Sequence, residues 1–477
     1  MTLSPAHSAT DGDRRQIPLA ALPDPPAPVR RSADLLALAG ALTLIAVAAV
    51  VGRVLSARGA QLFLGDPPLL GSWAPHVGWG TPVAVACLVV GLRLQRVAPA
   101  LPWRRLLLAG WLLNVLWLCS LALVDGFQRG WARVLLDPNE YLQDLPRIAG
   151  PLSFLRTFTG FIAFSDTVDG TQVWPTHVAG HPPLATLVFW GLDRIGLDGG
   201  AWAGALCILL SSAAAVAMPV ALRELGAPDS ARRLVPFAAL FPGAVFMAVS
   251  ADGLFAGVAV GGLALVCRGA ARGEVAAGLL GGLLLGAALF LNYGLVLFGV
   301  VVLVAGLVGV ARHGLRPVLR AWSAAVAGVL TVTALHLLAG FAWWTGLAQL
   351  RIRYYQGIAA VRPYSYFVYA NLAAWLLACS PLLAVGAVRS VGALVAGRGR
   401  PWSQDRVVAL LALAGVLAAV LADLSGLSKA ETERIWLAFG VVACSGLALL
   451  RGRAASWALL GSAGTALLVN HLVRTGW

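Results

Sequence analysis

The chain has 477 residues, of which 59% are hydrophobic and 12% charged, and its mean hydropathy is +0.82. That is about half the charge of a soluble domain, too little to cover a water-facing surface of this size. Soluble enzyme classes are therefore excluded, and an all-α polytopic membrane protein is expected. The net charge of +14 does not point to nucleic acid, because the basic residues lie in short clusters between apolar runs.

Residues 1–34 are polar and carry Pro18, Pro23, Pro25, Pro26 and Pro28, so they read as a disordered cytoplasmic tail. No small-residue cleavage site follows the first apolar run, so that run is expected to stay as an anchor. Thirteen apolar runs follow: 35–52, 79–95, 105–124, 201–222, 233–250, 253–267, 275–291, 293–311, 322–342, 371–389, 407–422, 435–450 and 455–471. A further run, 182–196, is read as an interfacial helix, because a span there would invert every later basic cluster. On that reading 22 of the 35 basic residues face the cytoplasm and 13 lie outside, while 8 acidic residues lie inside and 13 outside. The expected organisation is the tail, two extra spans over 35–104, a catalytic module over 105–320 with an outer loop at 125–200, and further helices over 321–477. Cys87, Cys119, Cys207, Cys267, Cys379 and Cys444 all fall in apolar runs without CxxC spacing and read as small buried hydrophobes.

The chemistry concentrates outside. Asp125 directly follows a span, and Asp137, Glu140 and Asp144 follow within the outer loop. If the segment from Asn139 onward is helical, Glu140 and Asp144 share one face. Clustered carboxylates suit a general base or a hard cation such as Mg²⁺ or Mn²⁺, with Glu140 and Asp144 as the ligands. His181-Pro182-Pro183 opens the interfacial segment, Pro182 suiting a first helical turn. Asp252 stands at the junction of two spans, either as a helix N-cap or as a functional carboxylate at membrane depth. The segment 343–370 is aromatic and basic, and Arg351, Arg353 and Arg362 there suit a phosphate headgroup. No Walker A, GxGxxG, HExxH or GxSxG motif appears, and no soluble stretch is long enough to seat a nucleotide.

With these residues in place, the chain resembles the membrane-embedded GT-C glycosyltransferases, and is similar to protein O-mannosyltransferases, aminoarabinose transferases and PIG-V-type mannosyltransferases. The resemblance rests on Asp125 or Asp137-Pro-Asn-Glu140-Tyr141-Leu142, on His181-Pro182-Pro183-Leu184, and on Phe241-Pro-Gly-Ala-Val-Phe246 through Ser250-Ala-Asp252-Gly-Leu-Phe255. Glu433-Arg434-Ile435-Trp436-Leu437 resembles an arginine motif near a lipid-phosphate site. It covers roughly residues 105–450, as layout more than as identity, and the acidic pair is split by Pro138 and Asn139. It implies a GT-C-like fold, a polyprenyl-phosphate sugar as donor, and transfer of a mannose-like sugar to a glycan, lipid or protein acceptor on the extracytoplasmic face of a bacterial-type plasma membrane. The implied base is Glu140, with Asp125, Asp137 and Asp144 as rivals. His181, Asp252, Arg351, Arg353, Arg362 and Arg434 would bind substrate. A lipid-linked polysaccharide polymerase or ligase, a transporter or flippase, and a non-catalytic assembly protein are the competing readings.

Overall fold

The computed structural model describes residues 31–165, 172–397 and 402–475. Residues 1–30 of the expected tail, and Asp166 and Asp169 of the outer loop, lie outside them. Arg31 to Asp34 already belong to the helix Arg31–Ala57, where Asp34 accepts from Arg389 Nε at 2.7 Å. The tail therefore ends earlier than its composition suggests.

The apolar runs fold as helices because, without water, a spanning backbone must satisfy its polar groups within its own segment. Among the described residues, eight helices are long and apolar enough to cross a membrane: Arg31–Ala57, Gly80–Val97, Trp103–Asp125, Gly199–Glu224, Ala251–Arg272, Tyr293–His313, Leu315–Leu338 and Gln404–Leu424. Tyr364–Cys379 and Leu382–Ala396 add a ninth if they count as one span bent by 97°. The chain is a multi-pass helical membrane protein, and the expected count of thirteen spans is left unconfirmed. The remaining runs are short, interrupted or less apolar. Run 233–250 breaks at Phe241-Pro242-Gly243 into Pro228–Ala239 and Ala244–Met247. Val275–Leu291 has 17 residues, short of the roughly 20 that a bilayer core needs. Run 435–450 divides into Thr432–Ile435, Leu437–Ala443 and a 3-10 segment, Cys444–Leu449.

The bend between Cys379 and Leu382 has a local cause. Ser380 takes φ 90°, outside the helical region, and its hydroxyl accepts from Leu382 N at 3.2 Å. Ser462 donates to the same hydroxyl at 3.3 Å, so the interrupted backbone is satisfied inside the protein.

Gly199–Glu224 and Ala251–Arg272 form the buried centre, while Arg31–Ala57 and Leu315–Leu338 stand at the rim with Leu36, Val50, Leu330 and Leu338 exposed. The outer loop 125–200 is built of short pieces: Pro151–Thr157, Thr176–Gly180, Leu184–Arg194 and several 3-10 turns. Leu184–Arg194, the expected interfacial helix, has 11 residues and is about 16 Å long, too short to span. Two three-residue strands, Gly71–Trp73 and Val473–Thr475, pair antiparallel with Ser72 opposite Arg474.

Candidate active site

Four separate segments bring ionisable groups to one buried place, and a fifth adds the amide of Asn292. Glu140 sits in a bend after the 3-10 turn Val134–Leu136. Its position is set by Asp137, whose side chain accepts from Asn139 N at 2.9 Å and whose carbonyl accepts from Glu140 N at 2.9 Å. His177 lies in Thr176–Gly180 and His181 ends that turn of helix. His177 N donates to Asn139 O at 2.9 Å, which ties this helix to the Glu140 bend. Asp252 enters from the first turn of Ala251–Arg272, Asn292 from the end of Val275–Leu291, and Arg434 from Thr432–Ile435.

Ser250 caps the helix that carries Asp252, its hydroxyl accepting from Asp252 N at 3.2 Å. The Asp252 carboxylate is thereby released from the capping role its position allows, and it points into the cluster. Arg434 Nη1 lies 3.4 Å from Asp252 Oδ2 and 3.6 Å from Glu140 Oε1, and Nη2 lies 3.1 Å from Glu431 Oε2. Arg434 Nη2 also donates to His177 Nε2 at 2.7 Å, and His177 Nδ1 lies 2.6 Å from Glu140 Oε1. His181 Nε2 lies 3.7 Å from Asp252 Oδ1, and Asn292 donates to that oxygen at 3.3 Å. The Tyr141 hydroxyl is 3.0 Å from His181 Nδ1, which is 2.8 Å from His177 O.

Glu140, Asp252, His177, His181 and Arg434 are all buried. Removing such charges from water is costly unless they pair, and here one guanidinium serves three carboxylates. Burial opposes the charge on Arg434, but Asp252, Glu431 and Glu140 outweigh it and hold the group above its ordinary value. Tyr141 is pushed well above the ordinary phenol range, first by burial and then by Glu140 and Asp252, so it stays a neutral hydroxyl. Glu140 Oε2 is buried and has no hydrogen-bond partner. His177 Nδ1 and Asp252 Oδ2 in the same cluster are likewise buried without a hydrogen-bond partner.

The other residues singled out in the sequence divide. Asp125 belongs to a different cluster, 3.4 Å from His76 Nε2, 3.7 Å from Arg129 Nε and 3.8 Å from Arg474 Nε. Asp137 is exposed and positions Glu140 through the backbone. Asp144 accepts from Arg147 Nη1 at 2.6 Å. Glu140 and Asp144 do not share a helical face, because 137–141 is a bend and Leu142–Arg147 is a 3-10 turn. The expected gathering of four arginines does not form. Arg362 is buried, donating to Leu62 O, Phe63 O and Lys429 O at 2.9, 3.2 and 2.7 Å. Arg353 stacks over the Phe164 ring at 3.6 Å, and Arg351 is exposed. Of the four, Arg434 alone joins the cluster.

The donor set does not fit a divalent ion on Glu140 and Asp144, since the two carboxylates engage different partners. Glu140 and Asp252 already bracket a fixed guanidinium. Among the described residues, no group of three or more His, Cys, Asp or Glu side chains is arranged as metal ligands. His177, Tyr141, Glu431 and Asn292 were not assigned roles from the sequence. For His177 a signal existed: it stands four residues before His181, one helical turn away on the same face.

No family model matches the chain, and no curated protein matches it in sequence. The solved structures similar to it include the Archaeoglobus fulgidus oligosaccharyltransferase complexed with Zn and sulfate, with TM-score 0.46 and 12% identity over 76% of this chain and 51% of that chain. The same enzyme tethered to an acceptor peptide containing the NVT sequon through a disulfide bond has TM-score 0.34 and 12% identity, over 69% and 49%. The chain spans about half the length of these proteins.

Proposed function

We propose that the protein is an integral membrane glycosyltransferase of GT-C type, which moves a mannose-like sugar from a polyprenyl-phosphate donor to an acceptor hydroxyl on the extracytoplasmic side. The observation that carries this reading is the buried constellation of Glu140, His177, Asp252 and Arg434, closed by residues from five segments of a membrane protein. A carboxylate with one unpartnered oxygen, held beside a fixed cation, is equipped to take a proton while negative charge develops on a leaving group. Glu140 is the base. Arg434 steadies the carboxylates and offers positive charge to the departing lipid phosphate. Asp252 and His181 orient the acceptor. No step needs a divalent ion. The N-terminus is cytoplasmic and the site faces outward, the orientation that the bias of basic residues favours.

The test is transfer of labelled sugar from polyprenyl-phosphate mannose by membranes carrying wild-type protein or the Glu140→Gln variant. The amide keeps size and polarity but cannot act as a base, so a loss of about a hundredfold or more is expected at normal expression. Normal transfer by the variant would remove Glu140 from the chemistry. A product bearing a preformed polymer in place of one sugar would reassign the protein to the polymerases or ligases.

A further inference from the structure

A cleft of about 440 Å³ lies between segment 159–165 of the outer loop and the helix Trp343–Gln356, a size within the range of small-molecule sites. Thr345, Gln349 and Ile352 line it from the helix, recurring at helical spacing on one face. Thr159, Ala163 and Phe164 line the opposite wall. Both walls are fixed. Gln356 donates to Phe164 O and accepts from Phe164 N, each at 2.9 Å, and Arg353 stacks over the Phe164 ring at 3.6 Å. Trp174 donates from its indole to Phe158 O at 3.0 Å and from its backbone to Phe161 O at 2.9 Å. Each wall also leads to the buried cluster. Trp174 stands three residues before His177. Gly346 of the helix lies so close to Tyr293 that an added Cβ would be 2.2 Å from its hydroxyl, and Tyr293 directly follows Asn292.

The lining selects a class of ligand. None of the described residues that line the cleft is charged, so a phosphate or carboxylate would enter without a counter-charge. The Thr159 and Thr345 hydroxyls and the Gln349 amide make no hydrogen bond to any described residue. Thr157, Thr331 and Thr333, by contrast, donate to the carbonyl four residues back. Hydroxyls and amides both donate and accept, as sugar hydroxyls do. Ala163, Ile352 and the Phe164 ring offer apolar contact to the C–H face of a pyranose. A prenyl tail would strip the polar groups of water and return nothing. An extended peptide finds no backbone edge at Phe164, whose N–H and carbonyl are both taken by Gln356. Building on the transfer reading above, we propose that this cleft is the acceptor subsite and holds an uncharged saccharide, with its reacting hydroxyl directed to the neighbouring buried cluster. The acceptor is then a glycan.

Photolabelling of the purified full chain in detergent with a diazirine-bearing mannobioside, in the absence of donor, tests the site directly. Label is expected on peptides covering 159–165 and 345–352, and excess mannobiose should displace it. Gly160→Trp should abolish that label at a Tm near wild type. Gly160 lines the cleft and an added Cβ there meets nothing within 4 Å, so the indole fills the space without moving a wall. The paired change Thr345→Val with Gln349→Leu keeps the shape and removes polar groups. It should weaken mannobiose binding about tenfold, the scale of two lost hydrogen bonds. In transfer from labelled polyprenyl-phosphate mannose to mannobiose, the same loss should appear in KM for the acceptor. Label confined to other segments, or unchanged in Gly160→Trp, would overturn the proposal. So would labelling of these peptides by a diazirine-bearing polyprenyl phosphate or peptide that mannobiose does not displace. The two readings fail separately. Transfer to mannobiose with unchanged KM in the paired variant refutes the subsite and leaves the transfer reading standing. Displaceable label in the cleft of a protein that transfers no sugar supports the saccharide site while the transfer reading fails.

Discussion

Arg434 holds the charge balance of the buried cluster, and its geometry makes it hard to replace. It reaches Glu140, Asp252, Glu431 and His177 with one planar fork. A lysine offers a single ammonium and cannot meet partners on several sides at once. Arg434→Met would leave buried carboxylates uncompensated, a change that costs about 3–5 kcal/mol. A clear fall in Tm in detergent is expected, and an unchanged Tm would show that the charges are solvated. Glu433, next in the chain, behaves differently. Burial pushes its carboxyl up to about 7, with Glu431 adding to the rise, against the opposing Leu70 N–H contact at 3.3 Å. A raised acid binds its proton more tightly in the folded state, so this residue's contribution is greatest below its unfolded value and is lost as pH rises through about 7. Glu433→Gln should therefore stabilise the protein at pH 8, by an amount on the order of 3 kcal/mol, with the difference vanishing toward acid pH. A constant difference across that range would contradict the assignment. Asp252 was legible in the sequence as a charge at a junction of spans, Glu140 as one of the carboxylates clustered in the outer loop, and His181 and Arg434 through the motifs that carry the resemblance. Asp125 was singled out because it directly follows a span and lies with His76, Arg129 and Arg474 instead, because position at the end of a span does not say which way the chain turns next.

At the scale of elements, close helix crossings hold the bundle, since lipid offers little hydrophobic drive between helices. Val275–Leu291 approaches Leu315–Leu338 so closely that a Cβ on Gly282 would lie 1.9 Å from Ala325 O. Gly282→Leu should force these helices apart and lower Tm markedly. At Gly261, where the nearest atom to an added Cβ is Leu284 Cδ1 at 3.8 Å, alanine should be tolerated. Equal tolerance at both positions in thermal melts would argue against the crossing. Hydropathy located the apolar runs but not their breaks. Phe241-Pro242-Gly243 and Ser380-Pro381 interrupt stretches that remain apolar on average, because backbone direction is set by φ, ψ and hydroxyl bonds that a hydropathy average does not record. The segment 435–450 shows the same limit, being apolar throughout yet divided into short turns.

Over the whole molecule, the bias of basic residues makes a testable statement about orientation. Reporters fused after Arg233 or Arg320 should be cytoplasmic, and one placed between residues 126 and 165 should be external. An external reporter at Arg233 would place the buried cluster on the wrong side for a lipid-linked donor. The fold class was evident from composition alone. The closure of the site was not, because Glu140, Asp252 and Arg434 meet only after the bundle brings segments far apart in the chain together. The most direct measurement compares sugar transfer from labelled polyprenyl-phosphate mannose by wild type, Glu140→Gln and Asp125→Asn in membranes at equal expression. Glu140→Gln should lose about a hundredfold or more, and Asp125→Asn, altered in a cluster apart from Glu140, should retain transfer. Transfer that survives Glu140→Gln but is abolished by Asp125→Asn would contradict the assignment of the base and move it to the Asp125 cluster.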